Sequence, residues 1–230
     1  MSLTRTNGEY MAQGSCTCSS GYEDEVRRTW RHYNRLAPFY DLDDVLWLGI
    51  KQHYRKRLLA LTPLNRSATV LDISTGTGRN AKLLAEYLND GRVVGLDVSR
   101  ATFQINAARN RGQGRLALVQ GLAQRMPFAD ELFDAVFCTY GMDTVDAPEV
   151  ALAEALRVLK KGGTVSFVHL KQSKRLFDPF GLLSRFYSWV WRAKGVDALP
   201  LLLDMGCKML YYKDFQIAEV LVGRKVGQSP

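Results

Sequence analysis

The chain has 230 residues, enough for one domain with a substantial core. Hydrophobic residues make up 47% and charged residues 23%, proportions that exclude a disordered or collagen-like chain, and no apolar run approaches the ~20 residues of a membrane span. The 31 lysines and arginines outnumber the 23 aspartates and glutamates, a net charge of +8 that suits nucleic acid, an anionic membrane surface, an acidic ligand or a plain solvated basic surface.

Residues 1–22 are polar and lack the apolar core of a secretory signal, so they read as a flexible tail. Cys16, Cys18, Cys138 and Cys207 are too scattered for a disulfide framework, which points to the cytoplasm. Cys16 and Cys18 have no partner pair to complete a metal site, so no metal is expected. Residues 23–62 read as a helical cap broken near Pro38. Residues 63–230 then alternate strand and helix. "ATVLDIS" (68–74) is a short buried strand, and Ala81, Leu84, Ala85 and Leu88 give 79–89 a helical stripe. "RVVGLD" (92–97) is a second strand, and Ser99 can cap a helix reaching Arg111. "RLALVQG" (115–121) and "FDAVFCT" (133–139) follow as strands. Asp146 and Glu149 predict the start of a helix that Gly162 and Gly163 end. "TVSFVHL" (164–170) is the fifth strand. An aromatic insertion spans about 172–205. The last two strands, "CKMLYYKDF" and "IAEVLVGRK", lie too close together for a helix between them and predict an antiparallel hairpin. The sum is an α/β fold: a Rossmann-like, doubly wound, seven-stranded sheet with a C-terminal antiparallel hairpin.

In such sheets the ligand sits beyond the carboxyl ends of the strands. The loop "STGTG" (74–78) lies there, and Gly76 and Gly78 let it turn sharply against a ligand. Asp97 ends the second strand 19 residues after Gly78, the right distance for a carboxylate that accepts from two ribose hydroxyls. A dinucleotide fits these features too. Asp72 argues against one, because a carboxylate beside the loop suits an ammonium group and repels a pyrophosphate; the reversed hairpin argues the same way.

The stretches "VLDISTGTG", "VVGLDVS", "RMPFADELFDAVFCTYGM" and "LRVLKKGGTVSFV" resemble, in order and spacing, the motifs of class I S-adenosylmethionine-dependent methyltransferases. Within that class the chain is most similar to the ubiquinone/menaquinone biosynthesis C-methyltransferases, through "HYNRLAPFYDL…GIKQHYRKR" (32–57) and "TYGMDTVDAP". The resemblance implies S-adenosylmethionine as cofactor and assigns roles. Asp72 neutralises the methionine ammonium; Ser74, Thr75, Gly76, Thr77 and Gly78 pass beneath that moiety; Asp97 holds the ribose. Val98 and Leu122 sandwich adenine, Ala123 offers it a backbone hydrogen bond, Thr139 and Tyr140 back the sulfonium, and Tyr33 and Tyr40 close from the cap. His169, Asp143 and Tyr140 are the candidate bases for an acceptor that must lose a proton. The chain carries Asp143-Thr144 where that family has Arg-Asn, His169 where it has an acid, and Leu122 where many relatives have an acid. The C-terminal third is shorter than theirs, so the acceptor is left open. A small lipophilic, quinol-like acceptor and a phospholipid amine are both compatible, as is a catalytically silent cofactor-binding module. No aminomethylase box for nucleic acid is present. The segment 175–195 reads as a lid whose inner side lines an apolar pocket and whose outer side, with Arg185, Arg192 and Lys194, rests on the inner membrane surface.

Overall fold

The structure, a computed structural model, describes residues 3–6, 9–12, 31–171, 179–215 and 217–226. One sheet holds seven strands: β1 (Thr69–Ile73), β2 (Arg92–Asp97), β3 (Leu116–Gln120), β4 (Phe133–Thr139), β5 (Leu159–Leu170), β6 (Cys207–Asp214) and β7 (Ala218–Lys225). Their order is β3-β2-β1-β4-β5-β7-β6, with β7 antiparallel to both neighbours and the first five strands parallel. The strand order reverses between β1 and β4. The expected fold class and the terminal hairpin are both present.

The crossover helices are α3 (Arg79–Tyr87), α4 (Arg100–Arg109) and α5 (Pro148–Val158). Before β1 come a helical stretch at 31–36, a 3-10 turn at Ala37–Phe39, α1 (Tyr40–Leu46) and α2 (Ile50–Leu61). Pro38 has no N–H to continue a helix, which accounts for the break. Leu48 and Gly49, at φ 48° and 77°, turn α1 into α2. The insertion before the hairpin holds α6 (Pro179–Trp191) and α7 (Ala198–Asp204).

Both sheet faces are buried, as parallel sheets require. Side chains alternate between them. Leu71, Ile73, Val136 and Cys138 pack with Leu152, Ala155 and Leu156 of α5 and Leu202 of α7. Val70, Val93 and Phe137 pack on the other side with Leu84 of α3, Leu58 of α2 and Trp47.

Two local expectations change. Asp146 does not cap α5: Ala147 is the N-cap, Pro148 occupies the first turn, and Asp146 pairs with Lys194 at 3.0 Å. Proline pre-sets the helical φ there and leaves one fewer amide to satisfy. Gly162 and Gly163 do not end α5 either. The helix stops at Val158 because Leu159 is drawn fully into the core beside Phe133. The register then jumps to Ala135 opposite Thr164, and the glycines sit in the resulting bulge. A Cβ on Gly163 would lie 2.9 Å from the Asp134 carbonyl. Within the N-terminal segment, Leu3–Thr6 pairs antiparallel with Glu9–Ala12. Cys16 and Cys18 lie outside the described residues, as does 23–30; Cys138 and Cys207 are free thiols in the core.

Candidate active site

Beyond the carboxyl end of β1 the chain reverses within five residues, Ser74 to Gly78. Ser74, Gly76 and Gly78 all take left-handed backbone, at φ 53°, 54° and 82°. Such a loop must be held from outside. Asp72 does so from below: its two oxygens accept from Thr75 Oγ1 at 2.7 Å and Asn80 Nδ2 at 2.6 Å. α4 does so from behind. Asn106 donates to the Gly76 carbonyl, Arg109 to that of Thr77 at 2.6 Å, and Asn110 to that of Gly78. A Cβ on Gly78 would strike the Asn106 and Asn110 amides, so this glycine serves close packing against α4 and does not face the cleft. Gly76 lines the cleft.

Asp97, at the end of β2, joins the loop to α4. Its Oδ2 accepts from the Gly76 N–H at 2.8 Å, and its Oδ1 from the Ser99 N–H at 2.9 Å. Burial raises its pKa, and the amide hydrogen bonds from Ser99 and Gly76 oppose that rise. Ser99 caps α4 as expected, accepting from the Thr102 N–H.

The cleft consists of two compartments of about 520 and 630 Å³ that share Tyr33, Tyr40, Ser74, Asp97 and Thr144. One compartment is an apolar slot of Leu96, Val98, Leu122 and Ala123. The other holds Gly76, Thr77, Thr139, Tyr140 and Trp191, and three cations, Lys51, Arg55 and Arg79. The cleft thus presents an apolar slot, a carboxylate at its centre and positive charge at its far end. An elongated ligand with an aromatic ring, a diol and a carboxylate fits that sequence of groups.

Not every expected site residue faces the cleft. Asp72 is fully buried beneath the loop, with both oxygens engaged, and lines neither compartment. Burial pushes its pKa up to about 6 despite the Asn80 and Thr75 hydrogen bonds. It shapes the loop where the sequence suggested direct contact with an ammonium. The cations that do line the cleft were missed. Lys51 and Arg55 sit four apart on α2, hence on one helical face. Both are buried over the Tyr140 ring, 4.9 and 5.1 Å from its centroid.

The candidate bases also separate. Tyr140 lines the cleft, but its hydroxyl donates to the Lys51 carbonyl at 2.9 Å. Its left-handed backbone, φ 62°, matches that of Ser74 across the cleft floor; two such non-glycine residues at one site are stored strain of the kind functional loops carry. His169 lies outside the cleft lining and pairs through Nε2 with Glu219 Oε2 at 2.7 Å, its cross-strand neighbour on β7. Asp143 is buried and lines neither compartment, although its neighbour Thr144 lines both, and its Oδ1 has no hydrogen-bond partner. Burial raises its pKa to about 6, against the lowering effect of His169 and Lys51.

A sheet of this order with a ribose-spaced acid and an apolar slot beside a glycine loop defines a nucleoside-binding transferase fold. Residues 71–167 match the family described as "Methyltransferase domain". The demethylmenaquinone methyltransferase of Roseiflexus castenholzii is 32% identical over 171 residues, covering 73% of this chain and 71% of that one. The ubiquinone/menaquinone biosynthesis C-methyltransferase of Haemophilus ducreyi is 32% identical over 162 residues, covering 68% of this chain but 62% of its own length. In fold the chain is similar to a SAM-dependent methyltransferase from Aquifex aeolicus, with a TM-score of 0.63 at 18% identity over 75% of this chain and 89% of that one. The chain belongs to the S-adenosylmethionine-dependent methyltransferase family, and S-adenosylmethionine is its cofactor.

Proposed function

We propose that the chain methylates a small, lipophilic, quinol-like acceptor at the mouth of this cleft. The observation that carries the reading is the aromatic wall facing the glycine loop: Tyr33, Tyr40 and Trp191, with the Tyr40 and Trp191 rings 4.3 Å apart. That wall gives a flat apolar acceptor a surface to lie on. The names of the Roseiflexus and Haemophilus relatives support the same acceptor class.

When bound, S-adenosylmethionine supplies an activated methyl group on a sulfonium. The protein's main task is positioning, since the leaving group is neutral. Asp97 accepts from the ribose hydroxyls, Val98 and Leu122 hold the adenine, and Ala123 is placed to offer it a backbone hydrogen bond. Lys51, Arg55 and Arg79 draw the methionine carboxylate to the far end. Gly76 and Thr77 let the chain approach the methionine, and Thr139 and Tyr140 back the sulfonium. The cap excludes water, so charge is spread in a drier site. Asp143 takes the acceptor's proton, because its Oδ1 is unengaged and its pKa of about 6 lies near working pH. His169 and Lys51 oppose the effect of burial on it. Among the described residues no helix is long and apolar enough to cross a membrane.

The test is transfer of labelled methyl from S-adenosylmethionine. Demethylmenaquinol should become labelled and phosphatidylethanolamine should not. Label on the amine alone would replace the quinol reading. Cofactor binding without label on any acceptor would mean a silent binding module.

A further inference from the structure

α6 presents apolar side chains in two directions. Trp191 is buried against Tyr40 at the cleft. Leu182, Phe186 and Trp189, spaced i, i+4 and i+7 on the other side, are exposed at 60%, 55% and 76%. A surface helix ordinarily turns such a stripe into the core, and an exposed row of large apolar groups marks an interaction site. Arg185 lies in the row, Arg192 directly follows the helix, and both are exposed. No aspartate or glutamate occurs from 179 to 196. Around the cap junction the charge is also positive: Arg192 and Arg35 act on His32. α1 adds exposed Leu42, Val45 and Leu46, but Asp41, Asp43 and Asp44 interrupt its sequence. An anionic partner is therefore drawn to α6.

We propose that the outward face of α6, with Leu182, Phe186 and Trp189 flanked by Arg185 and Arg192, docks on an anionic lipid bilayer. Trp, Phe and Leu suit the boundary between headgroups and acyl chains, and arginine meets the phosphates. The helix has 13 residues, so it lies on the surface and does not span. Its inner side is the aromatic cleft wall, so docking brings the cleft beside the layer where a lipophilic acceptor resides; that purpose, unlike the docking itself, rests on the quinol-like reading above.

The experiment uses the full chain and vesicles without any acceptor. Co-sedimentation is measured with phosphatidylcholine alone and with phosphatidylcholine mixed with phosphatidylglycerol. Binding should favour the anionic vesicles and fall with salt, as surface attraction is screened over ~8 Å at physiological ionic strength. F186S/W189S should reduce binding about tenfold or more to both vesicles. R185Q/R192Q should abolish the preference for the anionic ones. Both double variants should keep the rise in melting temperature on adding S-adenosylhomocysteine, which shows that they are folded. Vesicle binding that is absent in the wild type, or unchanged in both variants, overturns the proposal. So does a dimer, seen by sedimentation equilibrium, that F186S/W189S dissolves, since the face then joins two copies of the chain. Because no acceptor is present, failure to methylate a quinol leaves this result standing.

Discussion

Asp97 ties the Gly76 amide to the start of α4. The spacing proposes a second duty for the same carboxylate, accepting from the ribose; the bracing contacts needed coordinates. Asp97→Ala should therefore weaken S-adenosylmethionine at least tenfold on calorimetry, since hydrogen bonds to a charged group contribute about 1.5–3 kcal/mol. It should also lower the melting temperature of the protein without ligand, because three donors lose their acceptor. Unchanged affinity would leave Asp97 only its bracing role. Asp143 makes the opposite trade. Its carboxyl goes from about 3.8 unfolded to about 6 folded, so the native state holds its proton more tightly. Stability tied to that proton is complete below pH ~4 and lost as pH rises through ~6. Asp143→Asn, which resembles the protonated form, should match the wild type near pH 4 and exceed it above pH 6 by up to about 3 kcal/mol. Methyl transfer should fall at the same time. A variant more stable yet fully active would remove Asp143 as the base and leave it a strained structural acid.

At the scale of elements, the cap is held to the sheet by single polar contacts. Asn34 Oδ1 accepts from Ser99 Oγ at 2.8 Å and from the Ala101 N–H at 3.0 Å, so the 31–36 helix serves as a second cap on α4. Tyr33 hydroxyl donates to the Thr144 carbonyl from the same helix; burial pushes its pKa up to about 12, which keeps it a donor at working pH. Asn34→Ala should leave the melting temperature nearly intact, at a cost of about 1 kcal/mol typical of a lost cap, while hydrogen exchange of residues 31–61 quickens and cofactor affinity drops. If exchange in that stretch is unaltered, hydrophobic packing of Trp47 and Leu58 suffices to seat the cap. The helices and strands themselves were legible, since period-two and period-3.6 patterns follow directly from burial on one or both faces. Their ends were less so. α5 stops at Val158 and not at the glycines because a buried partner for Leu159 exists only in the assembled sheet.

For the whole molecule, the cleft is the junction of six chain regions: the cap, the loop after β1, the end of β2, the loop after β3, the loop after β4 and the end of α6. Ligand that fills it should stabilise all six together. S-adenosylhomocysteine at about 100 times its Kd should add about 2.7 kcal/mol, and NAD should add nothing. An equal shift with NAD would show that the slot accepts a dinucleotide. The basic balance also has a partial address: Lys51, Arg55 and Arg79 line the cleft, and Arg185 on α6 and Arg192 just after it are exposed.

The class of fold, the glycine loop and Asp97 were determined by sequence because each depends on neighbours close along the chain: alternation within a strand, a turn after it, an acid one βα unit on. The division of labour within the site was not. Asp72 withdrew under the loop, Gly78 turned toward α4, and His169 found Glu219 fifty residues away across the sheet. Whether a polar side chain faces ligand or protein depends on which distant group reaches it first, and only packing of the sheet and cap sets that. Trp189 and Trp191 make the point most simply: they are two residues apart, one 76% exposed and the other 5%, because α6 lies between the cleft and solvent.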